Sequence, residues 1–234
     1  MKQELRTLSF NLVSGIGHLE LNQLPANKMN AQFFSDLKEL VDSLKGLKGL
    51  EAIVISSTGR HFSSGADLEE LLELSMNSGM EHTDKKGLKD RNIFETNYNS
   101  FLFFEGAEIP VIAAIRGVCI GSAFEFALSC HFRFCGEDAV FGLPETTFNL
   151  MPGLGGIRKT AALCGKAKAI ELVLKGNTFG ASEALLNHLV DRIVPRRNVV
   201  DFSFTFARKI MKNYKKQKAP LYLQQISSDD LIFN

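Results

Sequence analysis

The 234-residue sequence predicts an α/β fold. Short apolar runs, EAIVISS, VIAAIRG and HFRFCG, alternate with segments of helical period. Between residues 111 and 136 the order is strand, helix, strand, which argues for strands stacked or paired in parallel. The length suffices for one good-sized core, or for one core with a small appendage.

The elements follow in chain order. SFNLVSGIGHLELN reads as two strands around a Ser-Gly turn. QLPANKMN is a polar connector, and Asn30 is placed to cap the helix AQFFSDLKELVDSLKGL. In that helix Phe34, Leu37, Val41 and Leu44 share one face, and a stop is expected near Gly46. EAIVISS is a buried strand leading into the loop TGRHFSSGAD and then helical LEELLELS. Residues 76–91 turn polar and charged and are expected as a mobile surface excursion. IFETNYNSFLFFEG reads as helix, VIAAIRG as strand, GSAFEFALSC as helix and HFRFCG as strand. Helices are expected near 155–164, 166–175 and 181–188, then a strand in LVDRIVP and a basic helix over 199–215. The α/β pattern gives way to helix near Pro195, which sets the expected boundary between residues 1–195 and 196–234.

Composition excludes several functions. With 45% hydrophobic and 23% charged residues and a net charge of +1, no global field draws the chain to nucleic acid or membrane. The first ten residues carry no apolar core of signal-peptide length, and no stretch approaches the ~20 apolar residues of a membrane span. Cys119, Cys130, Cys135 and Cys164 form no C-x-x-C pair, so neither a disulfide nor a zinc framework is expected, and a reducing cytoplasm is the expected location. The five histidines lack metal-ligand spacing, so no metal site is expected. His61, Ser63, Ser64 and Asp67 crowd together without forming a triad, and His131 reads as a packed or edge residue. MPGLGGIRKT lacks the spacing of a phosphate loop, and no G-x-S-x-G elbow occurs. The cationic run 208–218 reads as a solvated helix face.

Two features point to chemistry. In GVCIGSAFEFALSC, residues 117–130, Glu125 is the only charged side chain. An unpaired ionised carboxylate in a core helix costs several kcal/mol unless a partner or a proton relieves it. Glu145 follows Pro144 at the end of a short β-like run, on a loop that returns past that helix. Two carboxylates facing one cavity can share a water, one taking its proton while the other protonates carbon. Spacing alone also allows Glu145 to be a solvated loop residue and Glu125 to pair with a cation such as Arg116. The second feature is a pair of small-residue turns, SSGAD at 63–67 and IGSAF at 120–124. Each can present main-chain N–H groups, and two such groups converging on one carbonyl oxygen make an oxyanion hole.

The segment IPVIAAIRGVCIGSAFEFALSCHFRFCGEDAVFGLPETTFNLMPGLGGIRKTAALCG resembles the enoyl-CoA hydratase/isomerase (crotonase) superfamily. HFSSGADLEEL is similar to that family's loop after an early strand, and LPANKMNAQFF to its nucleotide-side entry segment. The resemblance covers roughly residues 5–195. It implies a crotonase-like spiral of β-β-α repeats with a short C-terminal helical region, residues 196–234, used in a homotrimer or hexamer. The ligand implied is an acyl-CoA thioester, with no cofactor because coenzyme A is part of the substrate. By the resemblance Glu125 and Glu145 are the catalytic pair, and Ala66 and Ser122 supply the oxyanion-hole N–H groups. Lys28, Ser64, Ala66, Asp67 and Leu68 fall along the coenzyme A path. Residues 122 and 123 are Ser and Ala where the family commonly carries glycine. Hydration of a 2-trans-enoyl-CoA is the activity the glutamate pair favours. A Δ3–Δ2 enoyl-CoA isomerase and a non-catalytic or RNA-binding member remain the alternatives.

Overall fold

The computed structural model describes residues 1–67, 69, 70 and 85–217. Strands β1 (Lys2–Glu4), β2 (Leu8–Val13) and β3 (Ile16–Leu21) are joined antiparallel in succession. The β2–β3 turn is the predicted Ser-Gly pair, with φ of 52° at Ser14 and 83° at Gly15. Helix α1 (Ala31–Leu44) begins where the Asn30 side chain accepts the Phe33 N–H at 3.0 Å. Then come β4 (Ala52–Ser57), α2 (Lys85–Glu105), β5 (Val111–Ile115), β6 (Val118–Ile120) and α3 (Ser122–Leu128). They are followed by β7 (Phe132–Gly136), β8 (Val140–Gly142) and a 3-10 turn, Pro144–Phe148. The chain continues through α4 (Gly156–Cys164), α5 (Lys166–Lys175), β9 (Phe179–Gly180), α6 (Ala181–Leu186), β10 (Arg192–Val194) and α7 (Val199–Gln217).

The large sheet has strand order β1-β2-β3-β4-β5-β7-β10, parallel from β3 onward. A smaller sheet has the order β6-β8-β9. Successive turns of chain lay one segment in the large sheet and the next beside the small one: β3 then Met29, β4 then Ser63 and Ala66, β5 then β6, β7 then β8. Single-residue parallel bridges join Met29 to Ala66 and Ser63 to Cys119. This is the spiral that the resemblance implies.

Parallel strands are covered on both faces, which is why β4 and β5 read as unbroken apolar runs. Ile53, Ile55, Val111 and Ala113 enter the main core with α1 and the aromatic set Phe33, Phe101, Phe104 and Phe126. Val54, Ile112, Ala114 and Phe134 face the other way, against Val199, Ala207 and Met211 of α7. Pro195 falls between β10 and α7, and α7 lies on the sheet.

One expectation needs correction. Residues 85–91, read as part of a polar excursion, are the first turns of α2. Their sequence lacks the apolar spacing by which a helix is recognised. Residues 76–84, the Leu71–Ser75 end of LEELLELS and the tail from residue 218 lie outside the described residues.

Candidate active site

Helix α3 starts at a conformation only glycine takes readily, since Gly121 has φ 56° and ψ −133°. Every residue of α3 is buried. Phe126 stacks on Phe101 at 4.8 Å and meets Phe104 edge-on at 5.2 Å, while Phe124 packs on Phe141 at 5.4 Å. Between those anchored rings stands Glu125, 1% exposed.

The cation proposed for Glu125 from spacing is not its partner. Arg116 instead donates Nη2 to the Ser57 carbonyl at 2.5 Å. Glu125 is held by main chain: its Oε1 accepts the N–H groups of Leu154 and Gly156, each at 2.8 Å. A Cβ on Gly156 would come within 2.8 Å of Glu125 Cγ and Oε1, so that residue's lack of a side chain is what admits the carboxylate. Burial pushes the Glu125 carboxyl above the ordinary range, against the pull of the two amides and of the Lys159 charge.

Glu145 sits in the 3-10 turn behind Pro144. Its Oε1 lies 3.2 Å from where a Gly121 Cβ would project, so it overhangs the start of α3. Its Oε2 is shielded from solvent and has no hydrogen-bond partner among the described residues. Burial, and then the charge of Glu125, push its carboxyl up to about 7. The charge of Glu125 therefore acts on Glu145 across the first turn of α3.

The loop 63–67 closes on the same turn. Gly65, at φ 83°, lies so close that a Cβ there would reach 2.5 Å from the Ile120 carbonyl and 3.4 Å from the Ser122 nitrogen. Ser63 N–H donates to the Val118 carbonyl at 3.0 Å, which fastens the loop to β6. Ala66 forms a single-residue bridge with Met29 in this loop, and Ser122 is the first residue of α3.

Of the residues expected along the coenzyme A path, Lys28, Ser64, Ala66 and Asp67 share one edge. Met29 N–H donates to the Gly65 carbonyl at 2.8 Å and Ser64 N–H to the Ala26 carbonyl at 2.9 Å. Lys28 and Asp67 pair with each other at 2.8 Å, and that hydrogen bond raises the Lys28 ammonium and lowers the Asp67 carboxyl. Leu68 lies outside the described residues. His61 and His131 are structural: Nδ1 of His61 accepts the Val118 N–H at 3.1 Å, and Nδ1 of His131 accepts that of Val111 at 3.0 Å.

Sequence reasoning missed Lys159 and the work of the 154–156 loop. Lys159 is buried, with Nζ bonded to Ser129 Oγ at 2.6 Å and to the Leu154 carbonyl at 3.1 Å. The glycines of PGLGG were the available signal, since a tight glycine loop can bring main-chain N–H groups close to a neighbour.

Comparison with known proteins agrees with this architecture. The chain superposes on enoyl-CoA hydratase subunit I of Geobacillus kaustophilus HTA426 with a TM-score of 0.81 at 26% identity, covering 97% of this chain and 81% of that one. A Thermobifida fusca YX protein solved in complex with CoA gives a TM-score of 0.83 at 24% identity, covering 96% and 86%. The fold is thus that of the crotonases. The protein named "Probable enoyl-CoA hydratase" in Bacillus subtilis (strain 168) is 31% identical over 182 residues, 77% of this chain and 66% of that protein. "Fatty acid oxidation complex subunit alpha" of Shewanella amazonensis is 34% identical over 200 residues, 83% of this chain and 27% of that protein. The chain spans only part of either relative. The family description "Enoyl-CoA hydratase/isomerase" matches residues 12–225, and the chain belongs to that family.

Proposed function

We propose that the protein adds water to a 2-trans-enoyl-CoA. In this reading the thioester oxygen accepts the N–H groups of Ala66 and Ser122, which draws electrons from the conjugated double bond. Water bonds to the β-carbon and gives its proton to the Glu125 carboxylate, and Glu145 delivers a proton to the α-carbon of the enolate. Each oxyanion donor typically lowers such a barrier by about 3–4 kcal/mol. The steps are proton transfer and addition, so they are redox-neutral, and coenzyme A belongs to the substrate.

The observation that carries this reading is the unequal carboxyl pair. Glu125 Oε1 is fixed by two amides, while Glu145 keeps a shielded, unpartnered Oε2 and titrates at about 7. An acid that holds a proton near neutrality beside a fixed carboxylate suits donor and base roles. The coenzyme A moiety would run along the edge formed by Lys28, Ser64, Ala66, Asp67 and Leu68, and the CoA complex of the Thermobifida fusca protein supports that class of ligand. The homotrimer or hexamer implied by the resemblance belongs to the same proposal. Ile170 and Leu174 on α5 and Leu186 on α6, all exposed, offer such an assembly apolar surface.

The test is a panel of enoyl-CoA thioesters with the double bond at either position, followed by the ultraviolet absorbance of the conjugated thioester. Hydration predicts loss of absorbance with 2-trans substrates. Gain of absorbance with 3-enoyl substrates alone would assign isomerisation instead. Saturable CoA binding without turnover would assign a non-catalytic role.

A further inference from the structure

We propose that Lys159 is a positioning residue for Glu125: its ammonium clamps the 154–156 loop whose amides hold the carboxylate, and supplies a positive charge that favours its ionised form. The inference rests on the hydratase reading for its catalytic consequence only. The geometry is independent of it.

Lys159 lies on α4, one turn beyond Gly156. Its side chain is 3% exposed, and its N–H groups donate to Ser129 Oγ at 2.6 Å and to the Leu154 carbonyl at 3.1 Å, while Glu105 Oε2 lies at ion-pair distance, 3.4 Å, without a hydrogen bond among the described residues. Ser129 Oγ has its own proton committed to the Glu125 carbonyl at 2.9 Å, so toward Lys159 it can only accept. A neutral amine could serve both hydrogen bonds but would leave the Glu105 carboxylate at 3.4 Å facing no positive charge, which an ammonium supplies. Burial draws the lysine's titration below its ordinary value, and the charges of Glu105 and Glu125 oppose that pull. The rings of Tyr98 and Phe101, each 5.8 Å from Nζ, also favour a cation there.

The clamp works through two links. Leu154 takes the lysine on its carbonyl and gives its N–H to Glu125 Oε1, so one residue carries both contacts. Gly155 sits against the ammonium, where its missing side chain leaves only 3.2 Å from the Cβ position to Nζ. From the other side, Ser129 ties the lysine to the Glu125 carbonyl. The charged and titratable groups around the pair are few. Glu145 overhangs from the 3-10 turn, Glu105 closes α2 and pairs with both Lys159 and Arg158, and the Cys130 thiol and Tyr98 phenol lie nearby. Among the described residues, Lys159 supplies the positive charge that acts on Glu125.

Glutamate carboxyls labelled with carbon-13 and titrated by NMR read Glu125 without any turnover, its resonance assigned by its absence in Glu125→Gln. In Lys159→Met the Glu125 titration moves to higher pH, and Lys159→Arg restores it. With a 2-enoyl-CoA, kcat/KM of Lys159→Met falls about tenfold more at pH 6 than at pH 8. A purely structural lysine would lower the rate equally at both. A Glu125 titration unmoved in folded Lys159→Met overturns the proposal. Should that variant not fold, Lys159→Gln removes the charge but keeps a donor, and the same upward shift is expected of it. Nitrogen-15 NMR of Lys159 in the unaltered protein needs no variant, and a neutral amine at pH 7 would overturn the proposal. A moved titration with no turnover of any enoyl thioester removes the hydratase reading and leaves the role of Lys159 standing.

Discussion

Glu145 is where one residue's surroundings set the chemistry. Its carboxyl has exchanged solvent for the neighbourhood of a second carboxyl, and both changes favour the proton. As donor it must be protonated, so hydration should be sustained below about 7 and decline as pH rises through that value. Glu125, as base, must be ionised, and burial places its titration above the ordinary carboxylate range. The expected profile of kcat/KM with a 2-enoyl-CoA is therefore bell-shaped, with its alkaline limb set by Glu145. A rate that keeps climbing above pH 8 would contradict the assignment of donor.

At the scale of elements, the acid pair depends on a glycine loop. Adding a Cβ at Gly156 puts it 2.8 Å from Glu125 Oε1, so Gly156→Ala must push the carboxylate aside. Misplacing a catalytic group by about 1 Å costs on the order of 10²-fold. The turnover of Gly156→Ala should fall by about that factor, while circular dichroism stays that of the parent; parental turnover would show that the loop does not set the carboxylate's place. This dependence was invisible in the sequence because it joins residues far apart in the chain. Glu125 could be singled out there, being one charge among apolar neighbours, and Glu145 could be paired with it. What held Glu125 could not, since the amides of Leu154 and Gly156 lie far along the chain from it. The same divide runs through the fold. β4, β5 and α1 announce themselves by apolar period and by the Asn30 cap. β6 and β9, of three and two residues, are too short to show a period, and the opening turns of α2 are too polar.

Over the whole molecule, a buried acid with a raised titration leaves a mark on stability. Between the ordinary 4.5 and about 7, folded Glu145 holds a proton that the unfolded chain has released. Stability then falls as pH rises through that window, because the folded state binds more protons. The contribution is on the order of 2–3 kcal/mol, allowing for partial exposure. Urea unfolding of Glu145→Gln should lose much of this slope between pH 5 and pH 8 and gain stability over the parent at the upper end. Equal slopes in parent and variant would mean that Glu145 is solvated rather than confined.

The proposed hydration requires both carboxyls in one turnover. The most direct measurement is steady-state hydration of a short 2-trans-enoyl-CoA by the parent, Glu125→Gln and Glu145→Gln, each checked for folding. Both variants are expected to lose about 10²–10⁴-fold in kcat. Parental turnover in either folded variant would contradict the two-carboxyl mechanism.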